Sequence, residues 1–115
     1  QIKENGGMAM NVFNNVKAFS ANVGILTNSN WKNIKKTRFV EMHSNHMFMR
    51  LDESDNQYGK FSFNKEDLEV YDAIIVSDYN KGFLEIQDLI SISTSHPLTF
   101  LDTKKTLSQW RLTFH

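Results

Sequence analysis

Two aspartates, Asp78 and Asp102, close apolar runs that contain Ala73-Ile74-Ile75-Val76 in one case and Leu98-Thr99-Phe100-Leu101 in the other. A lysine follows shortly after each, in Asp78-Tyr79-Asn80-Lys81-Gly82 and in Asp102-Thr103-Lys104-Lys105. Carboxylates accept protons from hydroxyl groups and lysines take phosphate, so acids and bases alternating around one pocket suit a polyhydroxylated, anionic ligand. The competing reading is structural, since an aspartate at a strand end also caps the turn or helix that follows.

Other chemistry-bearing residues are sparser. Asn5-Gly6-Gly7 is a turn signal ahead of a helical pattern, where backbone N–H groups can approach an oxygen-rich ligand and Asn11 adds a hydrogen-bonding side chain one turn in. The same tripeptide also serves as a plain turn. With glycines only at 6, 7, 24, 59 and 82, neither GxGxxG nor GxxxxGK[ST] can be written anywhere. Lys32, Lys35, Lys36 and Arg38, interleaved with Trp31 and Phe39, read as a solvated strand edge rather than a nucleic-acid patch, because thirteen basic residues are balanced by thirteen acidic ones. Arg38 and Arg50 differ from that run: both flank apolar residues, and a guanidinium turned inward there requires an anionic partner. His43-Ser44-Asn45-His46 brings two imidazoles to a turn without cysteine or an evident third ligand, so a metal site has little support. No nucleophile elbow occurs, and the five methionines read as core filling.

These groups must be held by elements, and the periodicity supplies them. Ala9, Val12, Phe13, Val16 and Phe19 form one helical stripe, predicting a helix over about 8–20. Val23-Gly24-Ile25-Leu26-Thr27 reads as a short buried strand closed by Asn28-Ser29-Asn30. From Lys35 to Glu53 the period is two, with a break at Ser44-Asn45, which predicts a β-hairpin. A loop over 54–64 and a short helix over about 65–70 follow. Continuous apolar residues over 72–78 predict a strand buried on both faces; Phe83, Ile86, Leu89 and Ile90 carry a helix to about 95; Pro97 ends it; and 98–102 is a second buried strand. Residues 72–102 are thus a βαβ unit, whose parallel strands bring Asp78 and Asp102 side by side at the crevice end of the sheet.

The chain's 115 residues allow one α/β domain or part of one. Zero net charge argues against bulk electrostatic attachment to nucleic acid or an anionic membrane, the lack of cysteine fits a cytoplasmic setting, and no apolar stretch approaches the roughly 20 residues of a membrane span. The opening at Gln1 and the strand-like alternation of Arg111-Leu112-Thr113-Phe114-His115 give both ends the look of cut edges.

Taken in order, Gly6-Gly7-Met8-Ala9-Met10-Asn11-Val12, Lys36-Thr37-Arg38-Phe39, Met49-Arg50-Leu51-Asp52-Glu53, Ser77-Asp78-Tyr79-Asn80-Lys81-Gly82 and Leu101-Asp102-Thr103-Lys104 resemble the PfkB/ribokinase family of ATP-dependent sugar kinases. Within it the chain looks most like the heptose-7-phosphate kinase branch, the kinase half of the bifunctional ADP-heptose synthesis protein. The resemblance spans residues 6–104 and implies a ribokinase-like fold: a mainly parallel sheet flanked by helices, with a small β lid. It implies phosphoryl transfer from ATP to a sugar hydroxyl, helped by magnesium. By position, Gly6, Gly7 and Asn11 would face the sugar, Arg38, Arg50 and Asp52 would lie near the substrate phosphate, and Asp78, Lys81 and Lys104 would line the crevice. Thr103 stands where the branch usually has proline. The family's opening Gly-Asp strand, a helix and strand between Asn30 and Lys35, and the Gly-Ala-Gly-Asp segment with the general base and anion hole are not in this sequence.

The expectation is therefore a single partial kinase domain over 1–115, its sugar-facing part, lacking the ATP-binding half and inactive alone. ATP and magnesium belong to the complete kinase by resemblance, and this chain by itself supports neither. The expected partners are a sugar phosphate and either the remainder of a kinase chain or a second copy. The rival expectation is a non-catalytic α/β sugar-binding or assembly module.

Overall fold

A computed structural model describes residues 3–4, 6–19, 22–54, 59–107 and 114. The order of elements is α1 (Gly7–Lys17), a 3-10 turn (Trp31–Asn33), β1 (Lys35–Val40), β2 (Met47–Glu53), α2 (Lys65–Glu69), β3 (Ile74–Asp78), α3 (Ile86–Ser95) and β4 (Thr99–Thr103). The chain is α/β. β3 and β4 pair in parallel with α3 between them, as the apolar runs and Pro97 predict, and Ser77 stands opposite Asp102 in the register.

Alternation sets the core of this unit. Val76 and Asp78 on β3 and Thr99 on β4 are buried, while Ile75 and Phe100 remain exposed. Leu68, Val76, Leu84, Leu89 and Ile92 form the core, ringed by Phe61, Phe63, Phe83, Leu101, Leu107 and Phe114. Phe61 meets Phe83 edge-on with centroids 5.4 Å apart. The expectation of strands buried on both faces is corrected: among the described residues only one face of the β3–β4 pair is covered.

Helix ends are sealed locally. The Asp88 carboxylate accepts the Glu85 N–H at 2.8 Å, and Asp67 does the same for Asn64 at 3.3 Å. At the end of α3 the chain extends through His96 into Pro97. The buried His96 ring ties two loops together: its Nε2–H donates to the Tyr71 carbonyl at 2.8 Å, and Nδ1 lies 3.1 Å from the Leu98 amide.

β1 and β2 form the expected hairpin in a separate two-stranded sheet. Thr37 faces Leu51, Arg38 faces Arg50 and Phe39 faces Met49, before a bulge shifts Val40 onto Met47. The Glu41 carboxylate organises the turn, accepting the His43 N–H at 3.0 Å and both the backbone N–H and the hydroxyl of Ser44 at 2.6 Å. Every residue of both strands is exposed, so Arg38 and Arg50 do not turn inward.

Other departures are smaller. The described residues hold one parallel and one antiparallel pair rather than a mainly parallel sheet. The first helix ends at Lys17, and among the described residues Val23–Thr27 pairs with no strand. Of the strand-like terminal run only Phe114 falls among the described residues.

Candidate functional site

Asp78 ends β3 with its side chain almost wholly enclosed, and three neighbours take up its oxygens. Oδ1 accepts the Asn80 N–H at 2.9 Å; Oδ2 accepts the Thr103 hydroxyl at 2.8 Å and lies 3.0 Å from Lys105 Nζ. Lys105 also donates to Asn80 Oδ1 at 2.9 Å, and its side chain is only 10% exposed. Backbone bonds complete the lock, from the Lys105 N–H to Thr103 Oγ1 and from the Lys104 N–H to the Asp78 carbonyl. The two strand-end turns are thus one interlocked unit. Asn80 at φ 54° and Gly82 at φ 91° let the first of them curl back over the strand end.

This arrangement changes the role expected for Asp78. Its carboxylate is committed inside the protein, so it does not present acceptors to a sugar. The outward groups are Asp102 on β4, Lys104, whose ammonium sits 5.1 Å from the centre of the Tyr79 ring, and Lys81. Lys105 and Thr103 were missed as site residues. A signal for them existed: Leu101, Thr103 and Lys105 share the strand parity that turns inward, whereas Lys104 alternates out.

The hairpin supplies a second charged surface. Arg50 grips Asp52 through two bonds, Nε to Oδ1 at 2.7 Å and Nη2 to Oδ2 at 2.6 Å. The Asp52 carboxyl is held below the ordinary carboxylate range, first by the Arg50 hydrogen bonds and then by the charges of Arg50, Lys36 and Lys81. That Lys81 contributes brings the strand-end turn within electrostatic reach of the hairpin. Arg38 stands directly across from Arg50, a like-charge pair that costs stability unless an anion lies near. Arg50 and Asp52, two of the sequence candidates, are thus brought into direct contact on the hairpin, while Lys81 lies on the strand-end turn.

Gly6, Gly7 and Asn11 sit on a different element. They lie at the start of α1, where the Asn11 amide is 4.0 Å from Met8 Sδ within its own helix. The apolar side of α1 lines a cavity of ≈ 660 Å³ with Val23, Ile25, Tyr71 and Ile75, and Asn11 is not part of that lining.

His43 and His46 flank the hairpin turn, and among the described residues no three Asp, Glu or His side chains gather as a metal cradle. The Asp78 carboxylate is itself committed to Lys105. Comparison with known protein families, with curated proteins and with solved structures returns no match.

Proposed function

We propose that this chain binds a sugar phosphate as the sugar-facing portion of a PfkB/ribokinase-type kinase of the heptose-7-phosphate branch. The observation that carries the reading is the strand-end unit itself, where Lys105 and Thr103 enclose the Asp78 carboxylate and leave Lys104 and Asp102 on the outside. Lys81 and Lys104, both exposed, give this unit a cationic rim beside the exposed acceptor Asp102. A rim of that kind pairs with phosphate while leaving hydrogen-bonding groups for hydroxyls. A phosphorylated sugar is a cytoplasmic metabolite, and a chain without cysteine fits that compartment.

Binding without turnover is expected of the chain alone, because phosphoryl transfer depends on positioned ATP and an anion hole, and the sequence holds no Gly-Ala-Gly-Asp segment to build them. Calorimetric titration with heptose 7-phosphate and with the free heptose tests the reading. Lys104→Ala should weaken the phosphorylated ligand by about 1.5–3 kcal/mol and the free sugar far less, as loss of a charge-assisted bond requires. Equal losses for both would reduce Lys104 to a support for the turn, and ATP-dependent turnover above buffer background would refute the non-catalytic part.

A further inference from the structure

We infer that Lys105 is the charge-balancing residue of the strand-end site, cancelling Asp78 from within so that the outward rim presents positive charge to a phosphate. This rests on the sugar-phosphate reading and deepens it. The geometry makes a division of labour between adjacent lysines. Lys104 points outward over Tyr79, while Lys105 turns beneath the strand ends onto Asp78 and Asn80. Asp78 lies at the foot of the same turn that carries Lys81, so its negative charge, left unbalanced, would act on any phosphate held above it. A buried carboxylate stripped of its cation is a large local charge, screened far less than one at the surface.

One experiment on the full 115-residue chain tests this, with heptose 7-phosphate and the free heptose titrated calorimetrically into four proteins: wild type, Lys105→Met, Lys105→Arg and the double variant Asp78→Asn with Lys105→Met. Folding is checked in each by amide NMR spectra. Lys105→Met should lose about tenfold in affinity for heptose 7-phosphate, with less than about a threefold change for the free heptose. Lys105→Arg keeps the charge, and the double variant removes both charges, so both should stay within about threefold of wild type for the phosphorylated ligand. A double variant as impaired as Lys105→Met, or a single variant that loses both ligands equally, overturns the proposal. Should Lys105→Met fail to fold, the double variant decides: wild-type binding supports charge balance, and weak binding by a folded double variant rejects it. Wild-type protein that binds neither ligand brings down the sugar-phosphate reading itself, and the role of Lys105 with it.

Discussion

Carboxylates carry the residue-scale consequences. Asp52 is lowered mainly by hydrogen bonds from Arg50, and Glu41 by the Ser44 hydroxyl and then by the His43 and Ser44 amides. A carboxyl group whose folded value lies below its unfolded one contributes stability above the unfolded value and loses it as the pH falls through the folded one. Acidification below the ordinary carboxylate range should therefore release the Arg50–Asp52 pair and the hairpin turn while the βαβ core stays folded. NMR titration checks this: the His43 and Ser44 amide signals should move with a midpoint below that of a free glutamate, and a midpoint at the free value would contradict the turn geometry. Gly82 gives a second test. Its φ of 91° disfavours any Cβ, although open space surrounds it, so Gly82→Ala should cost about 1–3 kcal/mol through the backbone alone, read from denaturant unfolding. The outward residues of the candidate site were legible because Asp and Lys types recur after both apolar runs. Lys105 was not, since two adjacent lysines differ only in the parity that the strand imposes. The burial of Asp78 was equally hidden, because composition does not say which of two strand-end carboxylates finds an internal cation.

Among the elements, stability concentrates in the βαβ unit. Leu89 on α3 is 0% exposed at the centre of the core, so Leu89→Ala should cost about 2–5 kcal/mol. Phe48 on β2, by contrast, is 68% exposed, and Phe48→Ala should leave unfolding nearly unchanged. Thermal or denaturant unfolding of the two variants measures the contrast, and comparable losses would mean that the hairpin belongs to the cooperative core. The elements were well marked where one physical signal sufficed: period two for the hairpin, an unbroken apolar run before and after a helical stripe for β3, α3 and β4. Val23–Thr27 has the composition of a strand but no ladder partner among the described residues, and pairing is a property of two segments that one segment's composition does not reveal. The exposed face of the β3–β4 pair departs from expectation for the same reason: Ile75 and Phe100 specify an apolar face, but α1 and Val23–Ile25 stand over Ile75 across a cavity and leave it half-exposed.

At the scale of the whole molecule, surface is in excess. The radius of gyration is 16.8 Å, against about 13 Å for a compact chain of this length. Accessible area is 9064 Å², against about 6,500 Å² for a folded monomer of this mass. Apolar side chains share in it: Ile75 on the sheet is 52% exposed, and the exposed Phe39, Met49 and Leu51 line one side of the hairpin. A two-stranded hairpin is marginal in water without a third strand or a covering layer, and large contiguous apolar faces drive association. The chain alone is therefore expected to self-associate in the micromolar range and above, burying these faces against a second copy. Sedimentation velocity over a hundredfold dilution should show the weight-average coefficient falling as protein is diluted. Replacing Phe39, Met49 and Leu51 together by threonine, which keeps strand propensity while removing the apolar side, should shift the species toward monomer without loss of the βαβ core signal in NMR. A monomer that is compact and concentration-independent, with a frictional ratio typical of a globular protein, would show that the excess surface is closed within one chain and would overturn the expectation.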